Sequence, residues 1–219
     1  METFKVNPLF FGMASTFVST EETRYYLKGV FLEPHPSGIG AILVATDGHR
    51  LAAIYDKDAI VPRPAIMATP KELIAAVKKI RATGDFLLFE RGEKFDDVKA
   101  EAGAMTLKTH EIDGTFPDWR RVIPKRDGIL TPDDCEDPAE FRANKRARQT
   151  TLNPRYVAAF EFKGWLQGKE NPITIITPPD PATPVIIKQN TVPEFLGIVM
   201  PMRDVELDEI PDWLKDIAS

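Results

Sequence analysis

Apolar positions along this chain fall into two alternating rhythms. Phe4 to Val6 reads as a short strand, and Asn7-Pro8 follows as a helix start, a capping side chain ahead of a proline whose fixed φ suits the first helical position. The helix carries Leu9 to Val18, almost wholly apolar, which calls for deep packing. From Arg24 to Glu33 the spacing changes to two, with Tyr25, Leu27 and Phe31 on one face of a half-buried strand. Pro34-His35-Pro36-Ser37-Gly38 cannot continue a ladder and turns the chain. Ala41 to Thr46 and Leu51 to Tyr55 are apolar runs of strand length. Between them Asp47-Gly48 suits a tight hairpin turn, because both residues tolerate positive φ. His49 and Arg50 then stand at the exposed end of a sheet, a place for recognition or for chemistry.

The same order returns twice. Ile60 to Ala68 is extended, Thr69-Pro70 repeats the cap-then-proline start, and a helix from Lys71 to Ala82 follows. It sets Leu73, Ile74, Val77 and Ile80 on one face and Lys71, Lys78, Lys79 and Arg81 on the other. Strands follow at Asp85 to Glu90, Asp97 to Ala102 and Met105 to Ile112. Gln149 to Leu152 opens a third unit, Asn153-Pro154 starts a helix reaching Leu166, and strands follow at Ile173 to Thr177, Val185 to Gln189 and Phe195 to Met200. Each unit is a strand, a helix and three strands over about fifty residues, a period that signals duplicated structure. The pattern predicts an α+β fold of repeated β-α-β-β-β units. Two units complete a domain over residues 1–124, one unit makes a reduced domain over 148–204, and 125–147 link them. The linker turns from acidic (Asp133, Asp134, Glu136, Asp137) to basic (Arg142, Lys145, Arg146), a solvated helix face in its plainest reading. Residues 205–219 form an acidic tail that also carries Leu207, Ile210, Trp213 and Leu214.

Composition narrows the function more than the fold. A net charge of −5 excludes nucleic-acid binding through bulk positive charge. The single cysteine, Cys135, allows no internal disulfide and no cysteine-based zinc site, which suits a reducing cytoplasm. No run reaches membrane-spanning length, and no signal-peptide pattern precedes the first strand. Catalysis finds little support. Asp47 and His49 resemble half of a catalytic pair, but an aspartate ahead of a glycine commonly serves the turn itself. No nucleophile elbow, H-E-x-x-H, Walker loop or carboxylate cluster accompanies them. His35 and His110 complete the histidines, and Asp96-Asp97 beside Lys94 and Lys99 reads as an ordinary turn. The expectation is a non-enzyme with no metal and no organic cofactor.

Five segments give the chain a likeness: T-R-Y-Y-L-K-G-V (23–30), A-T-D-G-H-R-L-A (45–52), D-G-T-F-P-D-W-R-R-V-I-P (113–124), L-N-P-R-Y-V (152–157) and V-M-P-M-R (199–203). In this order the chain resembles the bacterial sliding clamp family, the beta subunit of DNA polymerase III. The likeness spans what would be the middle domain and the later half of the last domain. It implies a DNA clamp (processivity) fold, with one complete clamp domain and a reduced second one. In the family, helices face a central hole, sheets form the outer wall, and the ring encircles duplex DNA and tethers a polymerase without catalysing a reaction. Polymerase subunits, clamp loaders and repair proteins dock short Gln/Leu/Phe-type peptides between the middle and last domains.

Carried over motif by motif, the peptide cleft would comprise Leu27, Thr46, Gly48, His49, Arg50, Leu51, Pro117, Arg121, Val122, Asn153, Tyr156, Val199, Met200, Pro201, Met202 and Arg203. Leu27, Leu51, Val122, Tyr156 and Met200 would line its apolar slots, and Arg50, Arg121 and Arg203 its rim. Met200 and Met202, flexible and polarizable, suit a groove that accepts many partners. Arg24, Lys71, Lys78, Lys79, Arg81, Arg155 and Lys163 would meet DNA phosphates, which position a duplex without reading sequence. Lysines on the outer side of an amphipathic helix are also ordinary for a soluble protein, so the likeness carries that assignment.

Two departures from the family pattern bear on function. The chain lacks counterparts of the family's first domain and of the earlier half of its last, and it has a tail beyond M-P-M-R. Units one and three can still build the cleft between them, while ring closure and oligomeric state stay open. The tail either folds over this cleft or a neighbour's, or forms a short acidic surface helix. Two functions follow: a replication processivity factor of sliding-clamp type, or a truncated non-ring relative that only binds or sequesters clamp partners.

Overall fold

In the first unit, β1 (Glu2–Val6) runs into α1 (Pro8–Ser15), then into β2 (Gly29–Pro34), β3 (Ala41–Thr46) and β4 (Arg50–Asp56). The second has β5 (Ala65–Ala68), α2 (Lys71–Ile80), β6 (Leu87–Arg91), β7 (Val98–Ala102) and β8 (Met105–Thr109). The third has α3 (Pro154–Ala158), β9 (Ile173–Ile176), β10 (Val185–Gln189) and β11 (Phe195–Val199). This computed structural model describes residues 2–124, 150–167, 171–178 and 182–202. The linker expected at 125–147, the tail at 205–219 and Arg203 lie outside the described residues. Among the described residues, no helix is long and apolar enough to cross a membrane.

The first two units are tied together by exchanging strands. β1 leaves its unit to pair with β6, giving the sheet β1-β6-β7-β8. β5 leaves its unit to pair with β2, and the third unit extends that sheet through β11 on β4, giving β5-β2-β3-β4-β11-β10-β9. In each unit a residue just past the last strand returns to the first segment. Lys5 and Ile60 exchange backbone hydrogen bonds of 2.8 and 2.9 Å, Met67 bridges Glu111, and Met202 N–H donates to the Thr151 carbonyl at 2.8 Å.

One core lies between the helices and the sheets. Phe11, Met13 and Ala14 of α1 and Leu73, Ala76, Val77 and Ile80 of α2 are buried there, as the apolar positions of each helix require. Asn7 starts α1 by accepting from Leu9 N–H at 2.9 Å, and its own N–H donates to Asp56 Oδ2 at 2.7 Å, so the end of β4 fixes the start of the helix. The third unit is held to the first by aromatic rings. Phe17 of the first meets Phe160 at 4.8 Å and Phe162 at 5.8 Å between ring centroids. Trp165 lies so close on Gly12 that a side chain there would collide with its ring, and Arg81 Nε donates to the Trp165 carbonyl at 3.1 Å.

A second apolar cluster occupies the outer face of the seven-stranded sheet. Val44, Leu51, Ala53, Ile66, Ile186 and Ile198 contribute from the strands, and the chain over 112–123 covers them. Phe116 stacks flat on Phe31 at 4.7 Å, while Trp119 Nε1 donates to Glu33 Oε2 at 3.2 Å. Ion pairing of Arg120 with Glu33 at 2.9 Å fastens the same segment.

Several expected elements change. Tyr25–Leu27 is a 3-10 turn rather than the start of a strand. Leu27 N–H donates to the Arg24 carbonyl and the Leu27 carbonyl accepts from Ser19 N–H, so Leu27 turns onto the sheet's outer face while Tyr25 stays half exposed. α1 ends at Ser15 rather than Val18, because Phe17 is needed in the aromatic cluster. The expected helix to Leu166 stops after α3 and a 3-10 turn (Ala159–Glu161). Phe162 adopts a left-handed conformation (φ 52°), which drives its ring into the core and breaks the spiral. Thr69 does not cap α2: Pro70 occupies that place with no side-chain bond, and the Thr69 hydroxyl turns to the Lys28 carbonyl. Thr150–Leu152 joins no strand among the described residues.

Candidate functional site

The seam between β4 and β11 opens on the outer face of the large sheet. Thr46 and Leu51 pair across the β3–β4 hairpin, and its turn is built by side chains. Asp47 Oδ1 accepts from His49 N–H at 2.9 Å and Arg50 N–H at 3.0 Å, and Thr46 Oγ1 accepts from Gly48 N–H at 3.0 Å. Gly48 sits at φ 90°, and Arg24 passes so close that a side chain would strike its guanidinium. The His49 carbonyl accepts from Met200 N–H at 2.8 Å, which carries the third unit's chain across the end of the hairpin.

These elements enclose a cleft of about 350 Å³, lined by Arg24, Tyr26, Leu27, Thr46, Gly48, His49, Arg50, Leu51, Pro117, Asp118, Trp119, Val122, Ile198 and Met200. Its floor is apolar sheet surface, and one wall is the 3-10 turn Trp119–Val122. Arg50 is tied at 2.9 Å to Asp47, and its guanidinium lies 5.2 Å from the Phe17 ring and 5.7 Å from the Tyr156 ring. Tyr156 stacks on His49 at 5.3 Å and 14°. An apolar concavity with a few oriented polar groups can hold an extended peptide with apolar side chains.

The expected cleft residues divide accordingly. Leu27, Thr46, Gly48, His49, Arg50, Leu51, Pro117, Val122 and Met200 come together in it, and Tyr156 stands behind His49. Val199 faces the other way, fully buried in the helix-side core, because strand alternation sends Ile198 outward and Val199 inward. Arg121 is paired with Asp118 at 3.0 Å with its side chain 83% exposed, outside the lining. Asn153 caps α3 by accepting from Arg155 N–H at 3.0 Å, and Pro201 and Met202 lead away from the cleft. Tyr26, Asp118, Trp119 and Ile198 were not among the expected cleft residues. Period-two parity on β11 points to Ile198, and Tyr26 and Trp119 are bulky aromatics inside segments already singled out.

The expected phosphate contacts divide too. Lys71, Lys78, Lys79, Arg155 and Lys163 are exposed on or beside the helices. Arg24 lines the cleft instead and pairs with Glu21 at 3.1 Å, and Arg81 is engaged with the Trp165 carbonyl. No group of three or more metal-ligating side chains occurs among the described residues.

Residues 13–118 match the model of the DNA polymerase III beta subunit, central domain. Over that stretch, just under half of its length, the chain is similar to the DNA polymerase III beta subunit family. The beta sliding clamp of Caulobacter vibrioides is 37% identical over 121 residues, which are 53% of this chain and 32% of that protein. That of Escherichia coli K12 is 30% identical over 106 residues, 48% of this chain and 28% of that protein. The matched stretch thus spans about a third of these relatives. Among solved structures, Caulobacter crescentus pol III beta superposes with a TM-score of 0.61 at 24% identity, covering 93% of this chain and 66% of that one. The Bartonella birtlesii sliding clamp bound to griselimycin gives 0.62 at 20% identity, covering 92% and 66%. The clamp architecture therefore extends over the third unit, well past the stretch matched in sequence.

Proposed function

We propose that this chain is a non-catalytic, sliding-clamp-type replication accessory that receives short Gln/Leu/Phe-type peptides of polymerase, loader or repair proteins in the β4–β11 cleft. The observation that carries it is the convergence of the hairpin 46–51, Leu27, the 117–122 wall and Met200 on one apolar concavity. Leu27, Leu51, Val122, Ile198 and Met200 offer apolar contact to side chains of the peptide, and Arg24, His49 and Arg50 offer polar partners at its edge. The exposed Lys71, Lys78, Lys79, Arg155 and Lys163 support a weak, sequence-independent contact with duplex DNA. The incomplete third unit favours a second form of the same reading, a non-ring relative that holds clamp partners without encircling DNA.

Fluorescence anisotropy with a labelled clamp-motif peptide tests the cleft. Saturable binding is expected, with Met200→Ala and Tyr156→Ala each weakening it by about 1–3 kcal/mol. No binding at high micromolar peptide, or full affinity in both variants, would overturn the assignment.

A further inference from the structure

Strand exchange is complete in the first two units, and among the described residues the third shows none. β6 carries β1 on its outer edge and β2 carries β5. β9 holds the place of β6 in the third unit, and among the described residues it has β10 on one side and no strand on the other. Thr150–Leu152 holds the place of β1: it precedes Asn153-Pro154 as β1 precedes Asn7-Pro8, and Thr151 takes the return bond from Met202 as Lys5 does from Ile60. It pairs with no described strand.

Side chains tell the same story. Phe89 on the helix side of β6 is fully buried, whereas Ile175, opposite the buried Ile187 and on the same side of β9, is 45% exposed. α1 and α2 each bury a face, partly against one another, while α3 has no buried residue. β9 reads Ile-Thr-Ile-Ile, without the charge, proline or bulge that blunts natural edge strands.

We propose that β9 and Thr150–Leu152 are the two parts of one self-complementary interface, and that a second copy of this chain occupies it. Each copy lays its 150–152 segment along the other's β9 as β1 lies along β6, and the two α3 helices meet across the two-fold axis as α1 meets α2. Every copy carries both donor and acceptor, which an isologous contact requires. Two third units then complete one domain, flanked by the complete domain of each chain. The proposal rests on strand topology and not on the peptide reading, because the cleft lies at the opposite, β11, edge of the unit.

Light scattering of the whole chain over a concentration series tests it, beside Ile175→Lys and hydrogen exchange of the 173–176 amides. The expected species has twice the 24.5 kDa protomer mass and dissociates on dilution. Lysine at 175 places a charge inside the apolar contact and shifts dissociation roughly tenfold or more toward monomer, with peptide affinity, and melting at dilutions where both proteins are monomeric, unchanged. The 173–176 amides are protected in the dimer and exchange quickly after dilution. A monomer at every concentration overturns the proposal, as does a dimer that Ile175→Lys leaves intact. Protection of 173–176 in a monomer overturns it too, assigning the cover of β9 to the chain's own residues.

Discussion

Asp56 shows how one side chain can join two elements and acquire a titration signature. It ends β4, and its carboxylate accepts from the backbone N–H groups of Asn7 at 2.7 Å and Asp58 at 3.2 Å. Burial pushes its carboxyl above the ordinary aspartate value of 3.8, and the two N–H donors only partly offset this. A carboxyl with a raised pKa holds its proton more tightly when folded than when unfolded. Its contribution to stability is therefore fullest below the ordinary value and fades as pH rises through the raised one. Urea unfolding at a series of acidic pH values should show wild type losing stability relative to Asp56→Asn across that window, and a constant difference would refute the assignment. Arg24 illustrates a different lesson of this scale. Its charge suits phosphate, yet the 3-10 turn at 25–27 aims it over Gly48 and into the cleft.

Among the elements, β11 has the most to hold together. Its outward residue Ile198 lines the cleft and its inward residues Phe195 and Val199 enter the core, while its backbone joins the third unit to β4. Gly197 is required on its inward side, because the Phe160 ring lies where a side chain would be. Gly197→Val should cost about 1–3 kcal/mol through overpacking and weaken peptide binding in parallel, as β11 shifts and carries Ile198 and Met200 with it. A thermal melt beside a peptide titration checks this, and lost stability with unchanged affinity would separate the cleft from β11. The cation cluster of Arg63 and Arg91 around Glu111 plays a comparable joining role between units. Arg63 also meets Glu2 at 2.7 Å, so β1, the β4–β5 connection and the end of the second unit share one ion network.

At the scale of the whole molecule, two similar units interlocked by strand exchange form the centre, and a third extends one sheet from its edge. The exposed cations lie with the helices, whereas the cleft lies on the outer face of the sheet, so DNA and peptide would meet different sides of the chain. With Arg24 and Arg81 otherwise engaged, five cations remain from the expected set: Lys71, Lys78, Lys79, Arg155 and Lys163. If all five meet phosphates, the slope of log affinity against log salt should be no steeper than about −4.5. Duplex DNA titrations at several salt concentrations measure it. A markedly steeper slope would mean that other cations, or several copies of the chain, share the duplex.

Much of this arrangement was legible in the chain itself. Period-two and helical spacings located all eleven strands and all three helices, with one further segment at 149–152 expected as extended, and the repeated Asn-Pro and Thr-Pro starts marked the units, because these signals depend on neighbours in sequence. Asp47-Gly48 fixed the hairpin for the same reason. Tertiary structure decided what local spacing does not encode. It sent Leu27 onto the outer face through a 3-10 turn, ended the third helix at Phe162 and chose Ile198 over Val199 for the cleft. Each of those outcomes is set by packing against residues far away in the chain. The position of β9 at the end of its sheet among the described residues is of the same kind, since whether a strand has a neighbour depends on the rest of the sheet rather than on its own four residues.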